Sequence, residues 1–197
     1  MITDKDIQQS RNIIQRLIKD GNIIMADKKY ADFFLKKAEE SLQTAQCLFD
    51  LSSNQKKKEL LNLASNYDGF LWVINSGYYA MFYAATALLA HFNHRIRGEQ
   101  GIHMLTYHAL VYYFLDNDRK LEKHFLEHYQ QAEQEATEIL QLAEQQAREK
   151  IGNVKSEIQK RRIFTYEMGS IAEKSKAETS LQRAKEFITL VKEMVFT

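Results

Sequence analysis

Between Asn93 and His103 the chain reads NHRIRGEQGIH, and side chains able to hold an anion gather there. His94, Arg95, Arg97 and His103 supply donors, and Gly98 and Gly101 make the stretch a loop. It is not a phosphate loop, because the GxxxxGK(S/T) pattern and a preceding strand are both missing. Two Arg–His pairs have the spacing that can set a guanidinium beside an imidazole, Arg97 with His103 and Arg119 with His124. With six histidines in the chain such pairs arise often by chance, so His103 reads as a structural or phosphate-facing residue rather than a base. His124 and His128, four apart on a helix, form one edge of a metal site. A di-iron helical bundle needs Glu-x-x-His pairs, however, and no histidine here has Glu three residues before it. The reading is therefore no metal and no cofactor. Cys47, the single cysteine, excludes an internal disulfide and a cysteine-based zinc site and suits a reducing cytoplasm. No nucleophile elbow occurs. Lys56, Lys57 and Lys58 read as a solvated face.

The elements that must position these groups are helices. The 197 residues contain no proline and seven glycines, and long stretches are rich in Ala, Glu, Gln, Lys and Leu. A net charge of +1 predicts no bulk attraction to nucleic acid, so any such contact rests on a local patch. From Phe70 to Phe92 no charged side chain occurs and every helical face is apolar or small, which predicts a central helix covered on all sides. Gly77, Ala80, Ala84 and Ala87 form a thin seam on it that lets a neighbouring helix come close. Its length suffices to span a bilayer. Asn75, Ser76, Thr86 and the tyrosines lie through its middle rather than at the interfaces, however, so it reads as a core helix with no membrane role. Tyr78, Tyr79, Tyr83, Tyr112 and Tyr113 can stack bases, but their helical spacing assigns them to core packing.

In chain order, Thr3 caps a helix over 4–20 that Gly21 ends, with Ile7, Ile14, Leu17 and Ile18 inward. Asp27 caps a helix to about Leu51, with Phe34, Ala38, Leu42, Ala45 and Leu48 inward. Residues 104–116 form a short apolar helix. Leu121 to Tyr166 carries an apolar seam through Phe125, Tyr129, Ala132, Ala136 and Ile139 that breaks near Gly152 or projects against a second copy. Ser170 with Glu173, or Ser175 with Glu178, caps a last helix. The start, MITDKDIQQS, lacks a basic segment followed by an apolar core and predicts no secretory signal. The fold class is all-α: an antiparallel helical bundle of five or six helices, one of them unusually long. Residues 1–26 are read as an N-terminal extension and 27–197 as the bundle, with 120–168 a long helix or helix pair.

Three stretches, in order, resemble the HEPN family (higher eukaryote and prokaryote nucleotide-binding domain). They are KAEESLQTA at 37–45, INSGYYAMFYAATALL at 74–89 with His103 following, and RRIFTYEMG at 161–169 leading into a closing helix with AKEFI at 184–188. The resemblance covers about residues 30 to 195 and implies an antiparallel bundle, often dimeric. It also implies a small nucleotidyltransferase as partner in toxin–antitoxin pairs. Ribonuclease members of the family carry an Arg-x4-6-His motif, in which imidazole acts as base on a ribose hydroxyl and guanidinium stabilises the phosphorane. Here Arg161 is followed after four residues by Tyr166, and Arg162 by Glu167, which resembles the branch without that motif. A neutral phenol titrates near pH 10 and is a poor base at neutral pH. Carried over by residue, Arg161, Arg162 and Tyr166, with His103, become nucleotide- or anion-binding groups. The expected function is a cytoplasmic, homodimeric binding module for a nucleotide, RNA or a partner protein. The alternative is a metal-independent ribonuclease toxin with a non-standard site.

Overall fold

The protein, described from a computed structural model, is traced here over residues 2–98, 101–116, 121–151 and 174–196. Helix α1 spans Asp4–Lys19. Thr3 caps it in a reciprocal box: its Oγ1 accepts from Asp6 N, and its own N donates to the Asp6 carboxylate at 2.7 Å. Asp4 and Asp6 in the first turn and Arg16 and Lys19 in the last complement the helix dipole. Gly21, at φ +69°, makes the left-handed exit. Ile14 is sealed from solvent, worth roughly 1.5–3 kcal/mol. Ile18, expected inward, is exposed, while the adjacent Leu17 still packs against the core.

Helix α2 spans Lys28–Ser53, capped by Asp27, whose carboxylate accepts from Lys29 N. A short α3 follows at Gln55–Leu60. There the lysine run is not wholly solvated: Lys58 is buried and its Nζ donates to the Ser65 carbonyl at 3.2 Å. Helix α4, Phe70–His91, is the central element. Ring contacts Phe34–Tyr83 and Phe49–Phe70 run in opposite order along α2 and α4, so the two are antiparallel.

Helix α5 (Ile102–Leu110) continues as a π-helical turn, Val111–Asp116. The sequence around Arg95 does more than turn. Ile23–Ile24 (β1) and Arg95–Ile96 (β2) pair antiparallel, Ile23 opposite Ile96 and Ile24 opposite Arg95. Helix α6 spans Lys123–Ile151 and α7 spans Lys174–Phe196. At 29 residues α6 is about 43 Å long at roughly 1.5 Å per residue. Tyr129, Ala132, Ala136 and Ile139 of its seam are buried as their spacing predicts. Gly152, near which the helix would break if it did not project against a second copy, lies outside the described residues. Ser175 sits inside α7, so it is not the start of that helix, and Ser170 lies outside the described residues.

The thin seam works as its residue types dictate. Ala80, Ala84 and Ala87 are fully buried, and a Cβ placed on Gly77 would stand 2.8 Å from Ser180 Oγ of α7. Tyr129 of α6 packs between Tyr78 and Phe187, closing the core from the third side. Helix α1 joins the same core. Ile2 is buried, its N donates to Glu127 Oε1 of α6 at 2.9 Å, and Ser10 Oγ meets His108 Nδ1 of α5 at 2.9 Å. Among the described residues, no helix is long and apolar enough to cross a membrane.

Candidate functional site

Arg161, Arg162 and Tyr166 lie outside the described residues, as does Arg119, the partner expected for His124. His103 is in place. Arg97 is exposed and anchored through its backbone N to the Asn22 carbonyl, and no bond joins it to His103. His124 and His128 stand with ring centroids 5.7 Å apart, and His124 faces Glu122 at 3.2 Å. No group of three or more metal-ligating side chains occurs among the described residues.

His103 sits in the first turn of α5 against the middle of α4. Its Nδ1 is 2.7 Å from the Tyr78 hydroxyl, and its ring lies 4.2 Å from Phe82 and 5.7 Å from Tyr79, centroid to centroid. Burial lowers the imidazole pKa, and burial, with the nearby Glu133 charge, raises that of the Tyr78 phenol. Both partners are therefore neutral at pH 7. Between two neutral partners either can donate, the phenol O–H to a bare Nδ1 or an Nδ1–H to the phenol oxygen, according to the ring tautomer. The Tyr78–His103 bond thus fastens α5 to α4, and His103 Nδ1 is engaged in it.

Beside it, between α1, α5 and α6, lies a polar cleft of about 250 Å³ lined by Asp6, Gln9, Tyr107, His108, Gln130 and Glu133. Burial pushes the Tyr107 phenol up to about 12, with the charges of Asp6, Glu127 and Glu133 adding to it. Burial also raises the Glu133 carboxyl and lowers His108, whose Nδ1 is engaged by Ser10. Within this cleft Ser10 engages His108, and the Tyr107 hydroxyl donates to Gln130 Oε1 at 3.5 Å.

The principal departure from the expected fold is on α4 itself. The helix is not covered all round. Trp72 is 48% exposed and Tyr79 41%, and Ser76, Tyr83 and Thr86 are half-buried. These five recur at steps of four, three, four and three, so they fall on one face. The other faces are taken by α2, α5, α6 and α7, which leaves this one open. Phe33 of α2, 53% exposed, extends it beyond Tyr83, packing edge-on against Phe34, which in turn meets Tyr83. Lys37 lies 5.8 Å over the Phe33 ring and pairs with Glu40 at 2.7 Å. Tyr79, assigned to the core by its spacing, is thus exposed, while Tyr83 is half-buried with one side against the core. Trp72, the lone tryptophan, is a site residue that sequence reasoning passed over.

The described residues form an all-α bundle with one aromatic face left open on its central helix. Compared with family models, with curated proteins and with solved structures, the chain matches none.

Proposed function

We propose that the protein is a HEPN-like binding module that engages the bases of a nucleotide or RNA. The observation that carries this reading is the open aromatic strip Trp72–Tyr79–Tyr83 with Phe33, on a helix otherwise sealed on every side. Exposed rings in register along a rigid helix are a stacking platform, and base stacking contributes roughly 1–3 kcal/mol per base whatever the sequence. The neutral His103 ring, 5.7 Å from Tyr79 centroid to centroid, adds a polar group without a charge. Arg161, Arg162 and Tyr166 remain the residues expected to contact phosphate, on the strength of the family resemblance. The module acts as a homodimer through α6, whose outer side carries the exposed Leu140 and Leu142. A toxin–antitoxin setting with a small nucleotidyltransferase partner fits the same resemblance.

Trp72 makes the test direct, since it is the only tryptophan. Adding a short single-stranded RNA, or ADP, is expected to quench its emission saturably. Tyr79→Ala should weaken that binding by roughly tenfold, the scale of one lost stack. Emission that ignores both ligands over a wide excess refutes the stacking surface. RNA incubated with the protein in EDTA stays intact in this reading; cleavage that disappears in Arg161→Ala would establish the ribonuclease alternative instead.

A further inference from the structure

A second concavity, on the far side of His103 from the polar cleft, has a different chemistry. It lies where the start of α2, the second half of α4, β2 and α5 meet, and encloses about 100 Å³. Tyr30, Phe34, Phe82, Leu89, Ile96 and Ile102 form its walls. Thr86 and Thr106 also line it, but each hydroxyl donates to the carbonyl four residues back in its own helix, Phe82 and Ile102 respectively. Neither threonine therefore offers a free donor to a ligand. His94 also lines the pocket, its ring stacked on Tyr113 at 3.7 Å, and the rest of the interior forms mainly van der Waals contacts.

Its rim is charged. Arg95 lines the same pocket, is exposed, and lies with its guanidinium 4.3 Å over the Tyr30 ring. It pairs with no carboxylate among the described residues. The β1–β2 pairing fixes its backbone opposite Ile24, and the Tyr30 face fixes its plane, so the fork is held in place before any ligand arrives. A pocket of apolar walls under one preorganised guanidinium is complementary to an amphipathic anion.

We propose that this pocket binds a small carboxylate with a short aliphatic or single-ring tail, the tail among Phe82, Leu89 and Ile102 and the carboxylate on Arg95. The volume sets the size of the tail. An engineered cavity of about 150 Å³ takes benzene, so this one holds a short alkyl chain or the edge of one ring, with the head group outside. A nucleobase is disfavoured, because an interior of about 100 Å³ is smaller than one that takes benzene. The pocket adjoins the stacking strip through Phe34 and Thr86 but takes a different class of ligand.

The test uses the full chain, with carbon-13 methyl labels on isoleucine to read Ile96 and Ile102 directly. Hexanoate and benzoate should shift those signals saturably, and hexanoate should bind more tightly than hexanol by roughly fivefold or more, the scale of one ion pair at a half-open rim. Arg95→Gln, at an exposed position, should abolish that preference and leave hexanol binding unchanged. Thr86→Leu, which fills the pocket, should weaken hexanoate and hexanol alike. Silent isoleucine methyls, equal binding of acid and alcohol, a preference for hexylamine, or an Arg95→Gln protein that still prefers the acid each overturn the proposal. Trp72 emission is a separate readout, so failure here and failure of the stacking surface are distinguishable.

Discussion

Gly77 and Ser180 together test the close approach of α4 and α7. An alanine at 77 gains about 1 kcal/mol of helix propensity over glycine. Its Cβ, however, would stand 2.8 Å from Ser180 Oγ and 3.5 Å from the Ser180 carbonyl oxygen. The second contact is ordinary; the first is not, and Ser180 is sealed at 1% exposure. Overpacking of this kind costs roughly 1–3 kcal/mol, so Gly77→Ala alone should lose about 1 kcal/mol net. The Ser180 hydroxyl makes no hydrogen bond in its buried position. Ser180→Ala should therefore gain about 1 kcal/mol, from propensity and from removing an unpaired buried hydroxyl. In the Ser180→Ala background the obstructing atom is gone, and Gly77→Ala should become stabilising by about 0.5–1 kcal/mol. The coupling is then roughly 2 kcal/mol, well beyond the scatter of about 0.5 kcal/mol seen for independent sites. Urea denaturation of the four proteins, followed by helical circular dichroism, measures it. Additive behaviour, or a Gly77→Ala protein more stable than the parent, would refute the close approach.

Thr3→Ala removes the side-chain half of the capping box, leaving the backbone N of residue 3 to donate to Asp6, and should lower stability by about 1 kcal/mol in the same urea assay, whereas Thr3→Ser should leave it nearly unchanged. The buried histidines predict an acid-side loss. His103 and His108 have native pKa values below the unfolded value near 6.5, so at intermediate pH the unfolded chain holds more protons. Their contribution is complete above about pH 6.5 and is lost as pH falls through the lowered native values. Glu133 and Asp68 act in the opposite sense. Burial raises both carboxyls, so their contribution is present at low pH and lost as pH rises through the raised values. The urea midpoint should fall more steeply with acid in Glu133→Gln than in the parent, and less steeply in His108→Gln. Parallel curves for all three would refute these assignments.

Most of the helix positions were legible because local chemistry fixes them. Thr3 with Asp6, Gly21 and Asp27 mark their termini through groups a few residues away, and no distant contact is needed to read them. The seam from Tyr129 to Ile139 was legible for a related reason, since buried faces repeat at the helical period. Coverage was not. An apolar run states which faces tolerate burial, and whether a neighbour arrives depends on where other helices go, so the open face at Trp72, Tyr79 and Tyr83 could not be foreseen. Lys58 escaped for the same reason: its burial is set by the Ser65 carbonyl, which only the tertiary turn brings to it. The two-residue pairing of Ile23–Ile24 with Arg95–Ile96 is too short to leave a periodic signal. Without it, Arg95 reads as a loop residue and its pocket is invisible.

Where two helices meet through glycine, alanine and serine, no long side chain lies between them to swing aside and absorb a displacement. Helices α4 and α7 are therefore obliged to move as one body. The elements on the opposite flank, α1, α5 and the small β ladder, share the core through Ile2, Ile14, Tyr107 and Leu110, and two polar links tie them to α4 and α6, Tyr78 to His103 and Ile2 to Glu127. Of the walls around Arg95, those supplied by β2 and α5 lack such a small-residue seam with α4, so side-chain adjustment to a guest is expected on that flank.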